Sequence, residues 1–219
     1  MPPIAAVVFD FDGVLANSEP LHLLTFQQVL GEVGITVDRD EYYARYLGFD
    51  DVGAFTAIAA ARGHHWDDRQ IAALIERKTI VFDELIAGAD VLYPNAAACV
   101  ERLAARFPLG IASGALKHEI EAVLRNSGLD RHFRFIVAAG DTPRSKPAPD
   151  PYQRAADLHG LPAAACVAIE DSRWGIESAR AAGLRCVGIT NTYPAGELTG
   201  AEAVIDSLDQ FTEEMIFSL

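Results

Sequence analysis

Five short apolar runs punctuate the chain, and each ends in small or polar residues. IAAVVF (4–9) stops at Asp10, LGIA (109–112) at Ser113-Gly114 and FIVAA (135–139) at Gly140-Asp141. CVAI (166–169) stops at Glu170-Asp171, and CVGI (186–189) at Thr190-Asn191. Continuous apolar runs of this length predict strands buried on both faces, the pattern of a parallel sheet. Helical patterns lie between them. NAAACVERLAARF (95–107) places Cys99, Val100, Leu103 and Phe107 on one stripe. KHEIEAVLRNSG (117–128) does the same with Ile120, Val123 and Leu124, and Gly128 predicts its stop. Asp150-Pro151 predicts an N-cap followed by Pro at the first helical position, and Ser172 a cap for a helix ending at Gly183. This alternation predicts an open parallel α/β sheet with right-handed crossovers.

The stretch 16–88 breaks the rhythm and contains no convincing strand. Leu23, Phe26, Leu30 and Val33 follow helical 3-4-3 spacing. Phe55 with Ile58, and Ile71, Leu74, Ile75, Phe82 and Leu85, predict further helices. The expected organisation is an α/β core from 1–15 and 89–219, interrupted by an all-helical insertion over 16–88. With 219 residues, half of them hydrophobic, the chain can bury a real core.

A net charge of −13 argues against a nucleic-acid surface, which needs clustered cations. Cys99, Cys166 and Cys186 are scattered and odd in number, which predicts buried reduced thiols. The N-terminal MPPIAAVVFDFD lacks a basic leader, and no apolar stretch approaches the roughly 20 residues of a membrane span. The expectation is a soluble, cytoplasmic monomer with no membrane or nucleic-acid partner.

In an open parallel sheet, ligands gather at the carboxyl ends of the strands. Asp10, Asp12, Ser113, Gly114, Glu170 and Asp171 should therefore meet there. Four carboxylates in one cleft repel unless a cation joins them. Mg²⁺ suits an all-oxygen set and commonly binds through one or two carboxylates plus a substrate phosphate, with Asp10 and Asp171 the obvious ligands. A phosphate also wants a hydroxyl, backbone N–H groups and a point charge, which Ser113, Gly114 and Lys146 supply. Asp10 can attack phosphorus to form an aspartyl-phosphate, while Asp12 moves protons to the leaving oxygen and from water.

DFDGVL (10–15), SG (113–114), SKPAPDP (145–151) and IEDS (169–172) resemble, in order, the four motifs of the haloacid dehalogenase-like hydrolases. The helical insertion is similar to the cap of the subgroup holding phosphoglycolate phosphatase and β-phosphoglucomutase. The resemblance covers nearly the whole chain and implies a Rossmann-like core with an inserted all-α cap domain. It implies Asp10 as nucleophile and metal ligand, and Asp12 as acid/base that also lends a backbone carbonyl to Mg²⁺. Ser113 and Lys146 match the phosphate-binding positions, and Asp171 the metal position, with Glu170 at the metal or behind it. His22 and Lys78 fall at cap positions near the acid/base and substrate, and the cap loop at 47–51, Gly48 included, would select the substrate.

Two departures stand out. Asn17 replaces a usual Asp near the hinge. LGFDD (47–51) lacks the basic residue with which β-phosphoglucomutase holds a distal phosphate. The function expected is therefore a Mg²⁺-dependent phosphomonoester hydrolase of a small phosphorylated metabolite, of the phosphoglycolate or sugar phosphate type. A β-phosphoglucomutase-like phosphomutase is the alternative, and a non-catalytic phosphate-binding protein the third reading.

Overall fold

The apolar runs become strands of one sheet. The structure, a computed structural model, describes residues 2–47, 49–86 and 89–219. The strands are β1 (Ala6–Phe9), β2 (Leu109–Ala112), β3 (Phe133–Val137), β4 (Cys166–Glu170), β5 (Arg185–Ile189) and β6 (Ala203–Ile205). They pair in parallel in the order β3-β2-β1-β4-β5-β6, with β1 inside. Strand order reverses direction at β1, between β2 and β4, and such a switch point opens a crevice at the strand ends.

The helices of this α/β unit are α5 (Ala96–Ala104), α6 (Lys117–Ser127), α7 (Asp150–His159), α8 (Arg173–Ala181) and α9 (Glu213–Ser218). Alternate residues of the strands face opposite layers. Ala6, Val8, Ala168 and Cys186 pack with Tyr152, Ala155, Ile176 and Ala179 of α7 and α8. Phe9 points the other way, edge-on to Phe133 and Phe211, each with ring centroids 6.1 Å away.

The remaining helices are α1 (Glu19–Glu32), α2 (Arg39–Arg45), α3 (Asp51–Ala61) and α4 (Asp68–Ile86). They form a second compact unit, Ser18–Asp90, apart from Met1–Asn17 with Val91–Leu219. Its core joins Leu23, Phe26 and Leu30 to Tyr42, Phe55, Ile58 and Val81. Ala16 and Asn17 go with the α/β unit because Ala16 bridges Leu92 and the Asn17 N–H donates to the Val91 carbonyl at 2.7 Å.

Several local expectations need correction. β6 and α2 are too short to stand out in the sequence pattern. Asp150 lies inside the first turn of α7, Pro149 precedes it without a side-chain cap bond, and the Asp150 carboxylate pairs with Arg144 at 2.8 Å. Val33 is 47% exposed, since α1 ends at Glu32 and its buried stripe at Leu30. Gly128 does close α6 at φ +69°, and the Ser172 hydroxyl does cap α8, accepting from the Gly175 N–H at 3.1 Å. All three cysteines are buried and free. No described helix is long and apolar enough to cross a membrane.

Phe9 immediately precedes Asp10, is fully buried and touches two rings, so it seats that strand end. Phe9→Ala should cost about 3–5 kcal/mol of unfolding free energy, read by urea denaturation followed by circular dichroism. A loss below about 1 kcal/mol would show that the ring contacts do not anchor the strand.

Candidate active site

The sheet register builds the site. Phe9 aligns with Ile111 of β2 and with Ile169 of β4. Asp10 therefore leaves the sheet level with Glu170, while Ser113 and Asp171 lie one residue further along the flanking strands. The Asp10 N–H still donates to the Ile169 carbonyl at 3.0 Å. Beyond it the chain turns sharply: the Phe11 carbonyl accepts from the N–H groups of Leu15 (2.9 Å) and Ala16 (3.0 Å). Half-buried Asp12 bridges Ala16 across this turn. Gly13 sits at φ +77°, and a Cβ there would overlap the Asp171 carboxylate. Glycine is thus needed twice at this position, for its backbone conformation and for Asp171's approach.

Lys146 joins the carboxylates. Its ammonium lies 2.9 Å from Asp10 Oδ1 and 2.6 Å from Glu170 Oε1, and 5.0 Å from the centre of the Tyr152 ring. Asp10 Oδ1 also accepts from the Phe11 N–H at 2.7 Å. Glu170 is fully buried and well supplied with donors. The Tyr152 hydroxyl donates to Oε1 at 2.6 Å, and the Ser172 hydroxyl to Oε2 at 3.3 Å. A side chain at Gly175 would overlap this carboxylate.

The charge balance is unfavourable as it stands. One carboxylate oxygen from each of Asp10, Glu170 and Asp171 lies within 4.8 Å of the others, all three residues are buried, and one ammonium faces them. Burial and then the Asp10 charge push the Glu170 carboxyl from its ordinary 4.5 up to about 7, although Lys146 and Tyr152 oppose the shift. Burial, Asp10 and Glu170 hold Asp171 well above the usual carboxylate range. Burial disfavours the Lys146 ammonium, but the charges of Asp10 and Glu170 outweigh it and keep the lysine protonated. Burial is the larger cause of both carboxyl shifts, and the excess of three carboxylates over one ammonium adds to it. An all-oxygen set with that deficit fits a hard divalent cation such as Mg²⁺.

On the next strand, buried Ser113 donates its N–H to the Val137 carbonyl at 2.9 Å and accepts the Ala115 N–H on its hydroxyl oxygen at 3.1 Å. A hydroxyl accepting there keeps its O–H to donate elsewhere. Gly114 is exposed, and a Cβ placed on it would meet nothing within 4 Å.

His22 and Lys78 belong to the helical unit and lie together. Lys78 is buried, 3.2 Å from His22 Nδ1 and 2.8 Å from Asp51 Oδ1. The His22 ring stacks on Phe82, centroids 4.4 Å apart. Burial, reinforced by the Lys78 charge, keeps this imidazole neutral. Gly48 lies outside the described residues.

Three participants were not legible in the sequence in the roles they take here. Tyr152 reads there as an ordinary helix aromatic, yet its hydroxyl is buried on Glu170. Ser172 was legible as a cap, not as a Glu170 donor. The Thr192 hydroxyl bonds the Asp171 side chain, partly opposing its upward shift.

A family model described as haloacid dehalogenase-like hydrolase matches residues 4–183. Protein CbbY of Rhodobacter capsulatus is 35% identical over 202 residues, covering 89% of this chain and 88% of the relative. Fructose-1-phosphate phosphatase YqaB of Escherichia coli K12 is 29% identical over 185 residues, covering 84% and 96%. Among solved structures, CbbY from Rhodobacter sphaeroides in complex with xylulose-(1,5)bisphosphate matches with a TM-score of 0.88 at 27% identity, covering 99% of this chain and all of that one.

A pH-dependent metal effect follows from the charge deficit. The Glu170 carboxyl holds its proton in the fold up to about 7, whereas the unfolded chain releases it near 4.5. Across that window the native state binds more protons, so this group's contribution to stability falls as pH rises. A cation can replace the proton once it has left. Mg²⁺ should raise the melting temperature more at pH 8 than at pH 5.5, in differential scanning fluorimetry with and without EDTA. An equal or larger gain at pH 5.5 would refute the deficit.

Proposed function

The chain belongs to the haloacid dehalogenase-like hydrolases, and from that premise we propose that it hydrolyses the phosphomonoester of a small metabolite through an aspartyl-phosphate on Asp10. The reading draws on relatives named as phosphatases of small phosphorylated compounds. The observation that carries it is the set of buried Asp10, Glu170 and Asp171 with partly buried Lys146 at the end of the central strand pair.

Asp10 Oδ1 is held by the Phe11 N–H and the Lys146 ammonium, which leaves Oδ2 as the attacking atom. Oδ2 attacks phosphorus, the bond from phosphorus to the leaving oxygen breaks, and Asp12 gives that oxygen a proton. In the second step Asp12 takes a proton from water as the water oxygen attacks phosphorus. The phosphorus–Oδ2 bond then breaks, inorganic phosphate leaves, and both aspartates return to their starting states. The Ser113 hydroxyl, the Gly114 backbone and Lys146 hold the phosphoryl oxygens where charge builds up. Mg²⁺, held by Asp10, Asp171 and the Asp12 backbone carbonyl, would neutralise phosphoryl charge. Glu170 works chiefly through Lys146, since its oxygens already accept from Lys146, Tyr152 and Ser172.

The insertion supplies the side chains that select the leaving group, His22 and Lys78 among them. A phosphomutase would need a second phosphate held in place, and the acidic Asp50-Asp51 pair in the 47–51 loop gives that reading no support.

Purified protein should release phosphate from small monoesters with Mg²⁺ and stop with EDTA. Asp10→Asn should lower turnover by at least about 1,000-fold while leaving the fold intact. Undiminished turnover in that variant would eliminate the covalent mechanism. Sugar-phosphate isomerisation that needs a bisphosphate primer, without phosphate release, would favour the mutase.

A further inference from the structure

We propose that Asn191 and Thr192, in the turn after β5, are positioning residues for Mg²⁺: Thr192 orients Asp171, and Asn191 pins the turn that carries the Asp12 carbonyl. The inference rests on the hydrolase reading above and extends its metal site, within the α/β unit, to two residues behind the ligands.

The three clustered carboxylates are not held alike. Asp10 accepts from the Phe11 N–H and faces Lys146, and Glu170 accepts from Lys146, Tyr152 and Ser172. Among the described residues, Asp171 is bonded by one donor alone, the Thr192 hydroxyl. The terminal torsion of an aspartate is broad, so a carboxylate without directed donors turns easily. A hydroxyl on it sets the plane of the group and leaves oxygen lone pairs for a cation. A Cβ at Gly13 would overlap the Asp171 carboxylate and come within 2.8 Å of Thr192 Oγ1, so both groups converge on the Gly13 backbone.

Asn191 acts on the same glycine. Its Nδ2 donates to the Gly13 carbonyl at 2.8 Å, across 178 residues of sequence, and the Gly13 N–H donates to the Ala16 carbonyl at 2.9 Å. The peptide units on both sides of Gly13 are thereby bonded. A trans peptide sets its C=O opposite its N–H, so the Gly13 N–H bond fixes the direction of the Asp12 carbonyl. The Asn191 bond keeps the permissive glycine from relaxing that direction.

The turn that carries both side chains is itself anchored. The Thr190 N–H donates to the Ile205 carbonyl at 3.0 Å, and its hydroxyl to Asp206 Oδ1 at 2.8 Å. The Tyr193 ring packs edge-on against Trp174 of α8, centroids 6.0 Å apart. Asn191 and Thr192 lie between these two fixed points and brace the β1 turn and the β4 end together.

The test titrates Mg²⁺ into the metal-free protein by isothermal calorimetry and finds the Mg²⁺ concentration for half-maximal phosphate release from a small monoester. Thr192→Val keeps the shape and removes the hydroxyl; it should weaken Mg²⁺ binding by roughly tenfold or more, and Thr192→Ser should restore it. Asn191→Ala should weaken binding by roughly the same factor. Saturating Mg²⁺ should recover most of kcat in both variants, because the ligands are misplaced and the reacting groups are intact. Unmoved Mg²⁺ affinity in either Thr192→Val or Asn191→Ala overturns the proposal, even where the metal-free melting temperature falls. If Asn191→Ala does not fold, Thr192→Val against Thr192→Ser decides. Mg²⁺ binding that the variants do not weaken sinks this inference and spares the hydrolase reading; no Mg²⁺ binding by the unaltered protein overturns both.

Discussion

One ammonium between two buried carboxylates is the constraint on which the catalytic unit turns. Lys146 stands 2.9 Å from Asp10 and 2.6 Å from Glu170, and without it three acidic side chains would share a dry strand end with no compensating charge. Removing one partner from a buried ionic set commonly costs about 3–5 kcal/mol, a large share of a domain's net stability. The surrounding residues serve that arrangement. Tyr152 and Ser172 complete the hydrogen bonds of Glu170, and Gly13 and Gly175 leave room for Asp171 and Glu170.

The balance struck there is incomplete. Glu170 and Asp171 resist ionisation first because they are buried, and then because one lysine faces up to three carboxylates. A structure whose only aim was stability would bury apolar groups in their place. Open parallel sheets bind ligands at their strand ends, and this acidic set offers oxygen ligands for a cation there.

Much of this was legible in the sequence, for physical reasons. A parallel strand buried on both faces must be continuously apolar, so the first polar residue after each run is the residue at the crevice. Asp10, Ser113 and Glu170-Asp171 could be picked out on that basis alone. Gly128 and Ser172 were legible because a left-handed stop and a hydroxyl cap are local chemistry. Tyr152 was hidden because its role depends on a hydroxyl meeting a carboxylate 18 residues away. The link from Asp51 to Lys78 spans 27 residues and two helices, and neither shows a periodic signature. Three-residue β6 fell below what an apolar run can announce, and α2 was masked by its charged residues.

The chain leaves and re-enters the α/β unit through neighbouring residues. Ala16 bridges Leu92, the Asn17 N–H meets the Val91 carbonyl at 2.7 Å, and the Tyr93 N–H meets the Leu15 carbonyl at 2.9 Å. Both ends of the insertion are thereby stitched together within the α/β unit, and Ser18–Asp90 begins and ends at that seam. The interruption of the α/β unit therefore falls at one place, between Asn17 and Val91, and every described strand of the sheet lies outside it.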